Sequence, residues 1–210
     1  YLTGKGFQVT LCDHEGFQEE LKAVEDSDGI MLRGKAGRGI YKLVCATTDF
    51  EKAVKSAELI FVCVPAKRHQ EIAERIAPYM KEGQSVLIVP GNLGSFVFRD
   101  VFKAREVPES VIIGEMEGNL CPCRLTAPAE VTVGLPIRAK KVAALPGRRT
   151  EEFIKRNEGV LDFVANKNVL EGALLSDNYV LHIGTTLLAS STVDQMGEDF
   201  ILFQHGLTDY

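Results

Sequence analysis

Residues 58–64 read Glu-Leu-Ile-Phe-Val-Cys-Val, a nearly continuous apolar run that a proline ends. Residues 85–89 read Ser-Val-Leu-Ile-Val and are also followed by proline, and an amphipathic helical pattern over residues 66–79 separates the two runs. Short apolar runs of this kind are typical of strands buried on both faces of a parallel sheet. Because such strands alternate with helical patterns, the sequence predicts βαβ units and an α/β fold.

The same alternation extends in both directions along the chain. Further strands are predicted at Gln8–Cys12, Gly29–Gly34, Tyr41–Thr47, Ser110–Glu115, Ala129–Gly134 and Lys140–Leu145, with Tyr41–Thr47 as a second hairpin arm and the last two as a pair. Further helices are predicted at Gly16–Ala23, Asp49–Lys55, Leu93–Ala104 and Thr150–Arg156. We therefore expect a Rossmann-type, doubly wound and mainly parallel sheet over residues 1–165. The wholly helical pattern that follows predicts the start of an all-helical second domain over residues 166–210.

Composition excludes several classes of protein. The chain has 210 residues and a formal net charge of −5, which argues against a general nucleic-acid surface. It has no apolar run long enough to span a bilayer and no signal-like segment, so we expect neither a membrane partner nor secretion. The five cysteines have no metal-binding spacing, so no metal site is predicted, and their odd number is typical of a cytoplasmic protein. The short basic pair Arg148 and Arg149 is interpreted as a solvated helix entrance.

Asp13 directly follows the first predicted strand. In dinucleotide-binding folds an acid at this point accepts hydrogen bonds from the ribose hydroxyls, about 20 residues after the glycine-rich loop. Since counting back from Asp13 passes Tyr1, we expect the first strand and that loop to lie outside this sequence, which we interpret as truncated at both ends. The alternative is that Asp13 only begins a turn. An acid here would repel a 2′-phosphate, which favours NAD over NADP.

Two turns follow the buried strands and carry proline or glycine. A proline gives a flat apolar wall beside a nicotinamide ring, and glycine lets the backbone approach a ligand. The alternative is that both are ordinary turns into helices, with Asn92 as a helix cap. The cofactor-binding candidates in these turns are Val64, Pro65, Ala66, Pro90, Gly91 and Asn92.

Three further side chains near the same predicted sheet edge could bind a ligand. His69 lies one helical turn after the first of these turns and is either a substrate contact or an ordinary surface residue. Glu115 ends a strand and is a cofactor-binding candidate. Arg124 could hold a substrate carboxylate bidentately, or could form a structural salt bridge with Glu115 or Glu130.

Asn178 and His182 lie four residues apart and share one face of the predicted helix. An imidazole that titrates near neutral pH can give a proton to a carbonyl or imine as hydride arrives, and an amide one turn away can orient the substrate. The alternative is that His182 is a structural helix residue whose imidazole hydrogen-bonds a neighbouring residue.

The order of these motifs resembles the opine dehydrogenase family, the octopine and nopaline dehydrogenase group. The matching stretches are Val64-Pro65-Ala66 with His69, Pro90-Gly91, Gly114-Glu115 with Cys123-Arg124, residues 128–133, Asn178 and His182 with Thr186-Leu187-Leu188, and residues 203–208. The resemblance covers essentially the whole chain.

The resemblance implies an enzyme that reductively condenses an amino acid with an α-keto acid through an imine, with NAD(P)H as the hydride donor. By this comparison His182 is the general acid/base, Asn178 positions the substrate, and Asp13 binds the adenosine ribose. It also implies a small-molecule amino acid and an α-keto acid as partners. An unfinished helical domain would expose apolar surface, so we expect association into a homodimer. Because the glycine loop and most of the helical domain are missing, the chain as written is not expected to turn over.

Ile183, Ala189 and His205 depart from the family pattern, since they replace a proline, an asparagine and an acid. These departures leave the substrate open and keep two alternatives. One is a relative of glycerol-3-phosphate or ketopantoate reductases, although those enzymes usually have a lysine base and none stands at His182. The other is a non-catalytic nucleotide-sensing relative.

Overall fold

The computed structural model describes residues 1–176 and 179–206. It separates into two compact units, residues 1–173 and residues 174–210. The predicted boundary between residues 165 and 166 lies a few residues before this division. None of the helices described is both long and apolar enough to cross a membrane.

Among the described residues, the strands all lie in the first unit. They are β1 Thr10–Cys12, β2 Ile30–Gly34, β3 Gly39–Tyr41, β4 Cys45–Thr47, β5 Leu59–Val62, β6 Ser85–Ile88, β7 Ile112–Met116, β8 Cys123–Ala127, β9 Glu130–Val133, β10 Lys140–Leu145 and β11 Phe163–Ala165. The α-helices described are α1 Gln18–Asp26, α2 Phe50–Lys55, α3 His69–Ile76, α4 Gly94–Ala104, α5 Thr150–Arg156, α6 Val169–Leu174, α7 Thr185–Leu188, α8 Ser190–Met196 and α9 Leu202–His205.

The central sheet has five strands in the order β11-β10-β7-β6-β5. Strands β5, β6 and β7 are parallel, whereas β10 runs antiparallel to β7 and β11 runs parallel to β10. The two apolar runs that predicted buried strands are β5 and β6. Since β5, β6 and β7 run in one direction, the turns that follow them lie at one edge of the sheet.

Helices cover both faces of this sheet. On one face Ile76 of α3 and Phe98 of α4 pack with Val86 and Ile88, and on the other Phe153 of α5 packs with Leu87. The side chains of β6 therefore alternate between two cores and are fully buried in both. The predicted α/β, doubly wound Rossmann-type fold is confirmed, and its sheet is mainly parallel with one reversal at β10.

The remaining strands form two smaller sheets. One has the order β3-β2-β9-β8, and the other is the parallel pair β1-β4. The predicted hairpin arm over residues 41–47 is wrong, because its start belongs to β3 and its end to β4, in different sheets. The predicted pairing of Ala129–Gly134 with Lys140–Leu145 is also wrong, since β9 pairs with β2 and β8 while β10 pairs with β7 and β11. The local sequence does not reveal either error, because β2 residues pair with β9 residues that lie 99 positions later in the chain.

The basic pair before α5 is only partly solvated. Arg148 is exposed, but Arg149 donates to the backbone carbonyls of Glu109, Ser110 and Val111 at 2.8–3.2 Å and pairs with Glu152. The interpretation of Arg149 as a solvated residue is therefore wrong. Its guanidinium fixes the start of α5 to the loop that leads into β7.

The second unit is helical in the part described. A π-helical turn spans Tyr179–Gly184 and leads into α7, α8 and α9. Several of its apolar side chains are exposed, with Leu174 at 80% and Leu188 at 85%.

Candidate functional site

The turn after β5 presents the first predicted cofactor-binding residues at the carboxyl edge of the sheet. Val64 is half-buried, whereas Pro65 and Ala66 are exposed, and Pro65 caps a short 3-10 turn with its carbonyl accepting from the Arg68 amide at 2.8 Å. This proline is rigid and exposed, as we expect of a residue that forms a flat apolar wall beside a nicotinamide ring.

The turn after β6 is tightly built. Gly91 is buried and its amide donates to the Met116 carbonyl at 3.0 Å, while Asn92 and Leu93 both have positive φ angles, 47° and 66°. Asparagine adopts this left-handed conformation readily, but leucine rarely does. A Cβ on Gly91 would lie 2.4 Å from the Glu115 Cβ, so only glycine fits at this position. Asn92 is exposed at the rim of the turn.

Glu115 holds this turn in place. Its side chain is almost fully buried, and its carboxylate accepts hydrogen bonds from the amides of Leu93 at 3.0 Å and Ser95 at 2.7 Å. A carboxylate at a helix N-terminus satisfies unpaired amides and matches the helix dipole. Glu115 thus caps α4 from the neighbouring strand. Because these two amides already donate to Glu115, they are not available to a ligand. A ligand would contact only the exposed part of the turn.

A shallow pocket lies beside Glu115 where β7 ends. Its lining includes Asn92, Glu117, Asn166 and Gly172. The Asn166 side-chain amide donates to Glu117 at 2.9 Å, and Lys141 lies 3.5 Å from the same carboxylate. No local pattern in the sequence indicates the Glu117–Asn166 pair, since the two residues lie 49 positions apart.

His69 is buried, with only 2% of its surface exposed, so its interpretation as a surface residue is wrong. It is the first residue of α3 and lies on the same helix stripe as the buried Ile76. A spacing of seven residues from Ile76 was the signal in the sequence that could have predicted its burial. Whether it contacts a substrate stays a prediction.

Arg124 is in β8, and Asp13 comes before α1; both belong to the first unit. The predicted structural salt bridge of Arg124 is wrong, because Glu130 pairs with Arg33 at 2.7 Å and Glu115 caps α4, while Arg124 donates to the adjoining Cys123 carbonyl. Asp13 directly follows β1, and its carboxylate accepts from the His14 amide at 2.8 Å. The predicted turn follows at His14, whose carbonyl accepts from the Phe17 amide and whose Nδ1 accepts from the Gly16 amide, both at 3.0 Å. The ribose-binding role of Asp13 stays a prediction.

His182 lies in the π-helical turn of the second unit, and its side chain is exposed. π-Helical turns occur frequently at functional sites, because they shift a side chain out of regular helical spacing. The four-residue spacing from Asn178 therefore does not by itself set their relative orientation. Asn178 lies outside the described residues.

No metal-binding group is found within the described ranges, where no three His, Cys, Asp or Glu side chains gather closely enough to hold an ion. The described cysteines are all free thiols. The candidate site is therefore the row of turns after β5, β6 and β7, where parallel α/β sheets bind their ligands.

Known proteins show the same architecture. Opine dehydrogenase from Arthrobacter sp. (strain 1C) is 33% identical over 210 residues, which is 99% of this chain and 57% of that protein. Among solved structures, octopine dehydrogenase with NADH and L-arginine superposes with a TM-score of 0.70 at 16% identity, over 95% of this chain and 53% of that one. A ketopantoate reductase from Ralstonia eutropha JMP134 superposes with a TM-score of 0.67 at 18% identity, over 91% of this chain and 58% of that one.

No model of a protein family matches the chain. The two structural matches show the fold alone, because their identities are low. The chain spans about half the length of the curated relatives that it matches. Since the match to the Arthrobacter protein runs through nearly all 210 residues, the expected resemblance of this chain to opine dehydrogenases is confirmed.

Proposed function

We propose that the full-length protein reductively condenses an amino acid with an α-keto acid through an imine. The observation that carries this proposal is the row of turns after the three parallel strands β5, β6 and β7 in a chain related to an opine dehydrogenase. The pocket beside Glu115 is lined by carboxylates and side-chain amides, and the exposed Pro65 follows β5 at the same edge of the sheet, which supports the binding of a polar ligand at this edge.

The residues present fit a nicotinamide cofactor. Pro65 and Ala66 form an exposed wall after β5, the turn after β6 exposes Asn92 and Leu93, and Asp13 follows β1 as a ribose-binding acid would. When bound, the cofactor supplies hydride to the imine carbon. The negative charge of Asp13 favours NAD, with NADP as the alternative.

His182 is assigned as the general acid/base and Asn178 as the residue that orients the substrate. Both assignments rest on the family resemblance, and the exposure of His182 supports access to a substrate proton. Asp13, Val64, Pro65, Ala66, Pro90, Gly91, Asn92 and Glu115 form the proposed cofactor site, in which Glu115 acts by holding the turn after β6. Arg124 and His69 are the remaining candidates for the substrate side.

The division of the chain into two compact units after residue 173 supports a two-domain organisation, for which we propose the boundary at residues 165 and 166. Residues 1–165 form the dinucleotide-binding domain, and residues 166–210 begin a helical domain for substrate binding and dimerisation. The exposed leucines of the second unit support the homodimer. In the described residues β1 pairs only with β4 and β5 only with β6, which supports a further parallel strand and its glycine loop beside them. The free cysteines support a cytoplasmic location.

The test is NADH oxidation by the full-length protein with α-keto acids alone, and then with an added pool of amino acids. The proposal predicts oxidation only when both are present. Oxidation with a keto acid alone would favour the ketopantoate reductase type, to which the fold is also similar.

A His182→Ala variant separates the enzyme from a nucleotide sensor. The enzyme should lose turnover and still bind NADH, since the residue acts on the substrate proton and not on the cofactor. Binding of NADH without turnover by the unsubstituted protein, for every substrate pair, would favour the sensor.

A further inference from the structure

The Lys52 ammonium lies against a cysteine and not against a carboxylate. Its Nζ atom is 3.2 Å from the Sγ atom of Cys45. Lys55, on the same helix, has the more usual arrangement, since it pairs with Glu51 one turn away. Among the ion pairs of residues 1–176 and 179–206, none involves Lys52. An amine and a thiol, two groups with reactive chemistry, are therefore in direct contact.

The turn between β4 and α2 brings these two side chains together. Cys45 begins β4 and Thr47 ends it, and the Thr47 Oγ1 atom accepts from the Asp49 amide at 3.0 Å. Asp49 then caps α2, because its carboxylate accepts from the Lys52 amide at 3.0 Å. The chain reverses over these few residues, so the lysine in the first turn of α2 reaches back to the start of the strand.

The thiol on the neighbouring strand is out of reach of Cys45. Strands β1 and β4 are parallel, and Cys45 faces Thr10 while Cys12 faces Thr47. With the spacing of a parallel pair, this offset places the Cα atoms of the two cysteines about 8 Å apart, which is beyond the range of a disulfide. An oxidised Cys45 therefore meets the Lys52 amine and not the Cys12 thiol.

We propose that Cys45 and Lys52 form a modification site, at which hydrogen peroxide closes a reversible sulfur–nitrogen crosslink between β4 and α2. Cys45 is partly exposed and Lys52 is exposed, so a small oxidant can reach both side chains. The inference does not depend on the proposed function, since neither residue belongs to the proposed cofactor site.

The crosslink forms in two steps, of which only the first uses the oxidant. Peroxide oxidises the Cys45 thiol by two electrons to a sulfenate, with release of one proton, and is itself reduced to water. The hydrogen bond with Cys45 raises the pKa of Lys52, so the amine is present as ammonium. Two ammonium protons then leave with the sulfenate oxygen as water while the nitrogen bonds to sulfur, as sulfenic acids condense with other nitrogen atoms.

Thiols reverse the crosslink. A first thiol attacks the Cys45 sulfur and transfers its proton to the departing Lys52 nitrogen, which leaves Cys45 in a mixed disulfide. A second thiol then attacks that disulfide and releases the free Cys45 thiol.

Trypsin detects this bond directly, because it does not cleave after a modified lysine. The full-length protein is treated with hydrogen peroxide, its remaining thiols are alkylated, and it is digested for mass spectrometry. We expect residues 43–55 as one peptide, lighter by about 2 Da than the same span with a free thiol, and dithiothreitol before digestion should restore cleavage after Lys52. Complete cleavage after Lys52 at every peroxide concentration would overturn the proposal, and so would an uncleaved peptide that has gained oxygen.

Lys52→Arg is the matched variant, since it keeps the positive charge and removes the nucleophilic amine. In this variant cleavage after position 52 should persist, and Cys45 should carry added oxygen of about 16 Da per atom. Oxidation of the exposed Cys63 in both proteins shows that peroxide acted equally on each. Crosslinking of Cys45 to another cysteine, seen as two joined peptides with cleavage after Lys52 intact, would contradict the proposed bond.

Discussion

The Glu115 carboxylate accepts a hydrogen bond of 2.7 Å from the Ser95 amide, which joins the end of β7 to the first turn of α4. The two residues lie 20 positions apart, and both are buried. This bond and its partner from Leu93 fix the turn after β6, in which two consecutive residues have a left-handed backbone. The shape of the candidate site therefore depends on the buried Glu115 side chain, which most atoms of a bound ligand would not contact.

Glu115→Ala should lower the free energy of unfolding by about 1–3 kcal/mol for each amide left unpaired. Glu115→Gln should cost less, since its amide oxygen can still accept one of the two bonds. Urea unfolding followed by circular dichroism measures both, and Glu109→Gln on an exposed residue is the matched control. Equal stability of Glu115→Ala and the control would show that the cap contributes nothing.

Gly114→Ala should destabilise the protein because the space for a Cβ is filled. The added atom would lie 2.8 Å from the ring of Phe153, which is fully buried and cannot move aside. Overpacking of this kind costs about 1–3 kcal/mol. Gly184→Ala is the control, since nothing lies within 4 Å of its added atom. In a double variant with Phe153→Leu the two costs should be less than additive, and full additivity would contradict the clash.

Arg149→Lys should reduce stability although it keeps the charge. The guanidinium bonds three consecutive backbone carbonyls and Glu152 at once, which a single ammonium group cannot do. We expect a loss of about 1–3 kcal/mol in urea unfolding. Arg148→Lys, on the exposed neighbour, should change little. A loss of the same size in both variants would mean that the carbonyl contacts are not the cause.

Cys12 should make stability fall as the pH rises above neutrality. Burial, together with the charges of Asp13 and Asp49, raises the pKa of the Cys12 thiol to about 11, whereas a thiol in an unfolded chain titrates near ~8.5. Between these values the unfolded chain has lost its proton and the folded chain has not, so ionisation favours unfolding. Urea midpoints measured across this range should therefore fall less steeply for Cys12→Ala than for Cys123→Ala, whose thiol is exposed. If the urea midpoints of the two variants fell equally steeply with pH, the raised pKa of Cys12 would be contradicted.

The central part of the fold was predictable because its signals are local. Unbroken apolar runs identify β5 and β6, and a 3.6-residue period identifies α3, since burial on both faces or on one stripe leaves those patterns in any sequence. Strand partners were not predictable, because Arg33 of β2 meets Glu130 of β9 across 97 residues and nothing in either segment encodes the other.

The candidate site was predictable in position and not in detail. Prolines and glycines after buried strands identified the turns, since the direction of parallel strands places their ends together. The capping role of Glu115 and the burial of His69 depend on how two helices pack against those turns. Such packing depends on tertiary contacts that the local sequence does not specify.

The outer side of β5 has a consequence for handling the protein. Leu59–Val62 carries no charge, and in the described residues its backbone groups are paired on the β6 side only. Uncharged edge strands are templates for pairing between molecules, and natural proteins normally guard them with charge, proline or a covering segment. The 210-residue chain kept at high concentration is therefore expected to aggregate by strand addition, with β5 as the first point of contact.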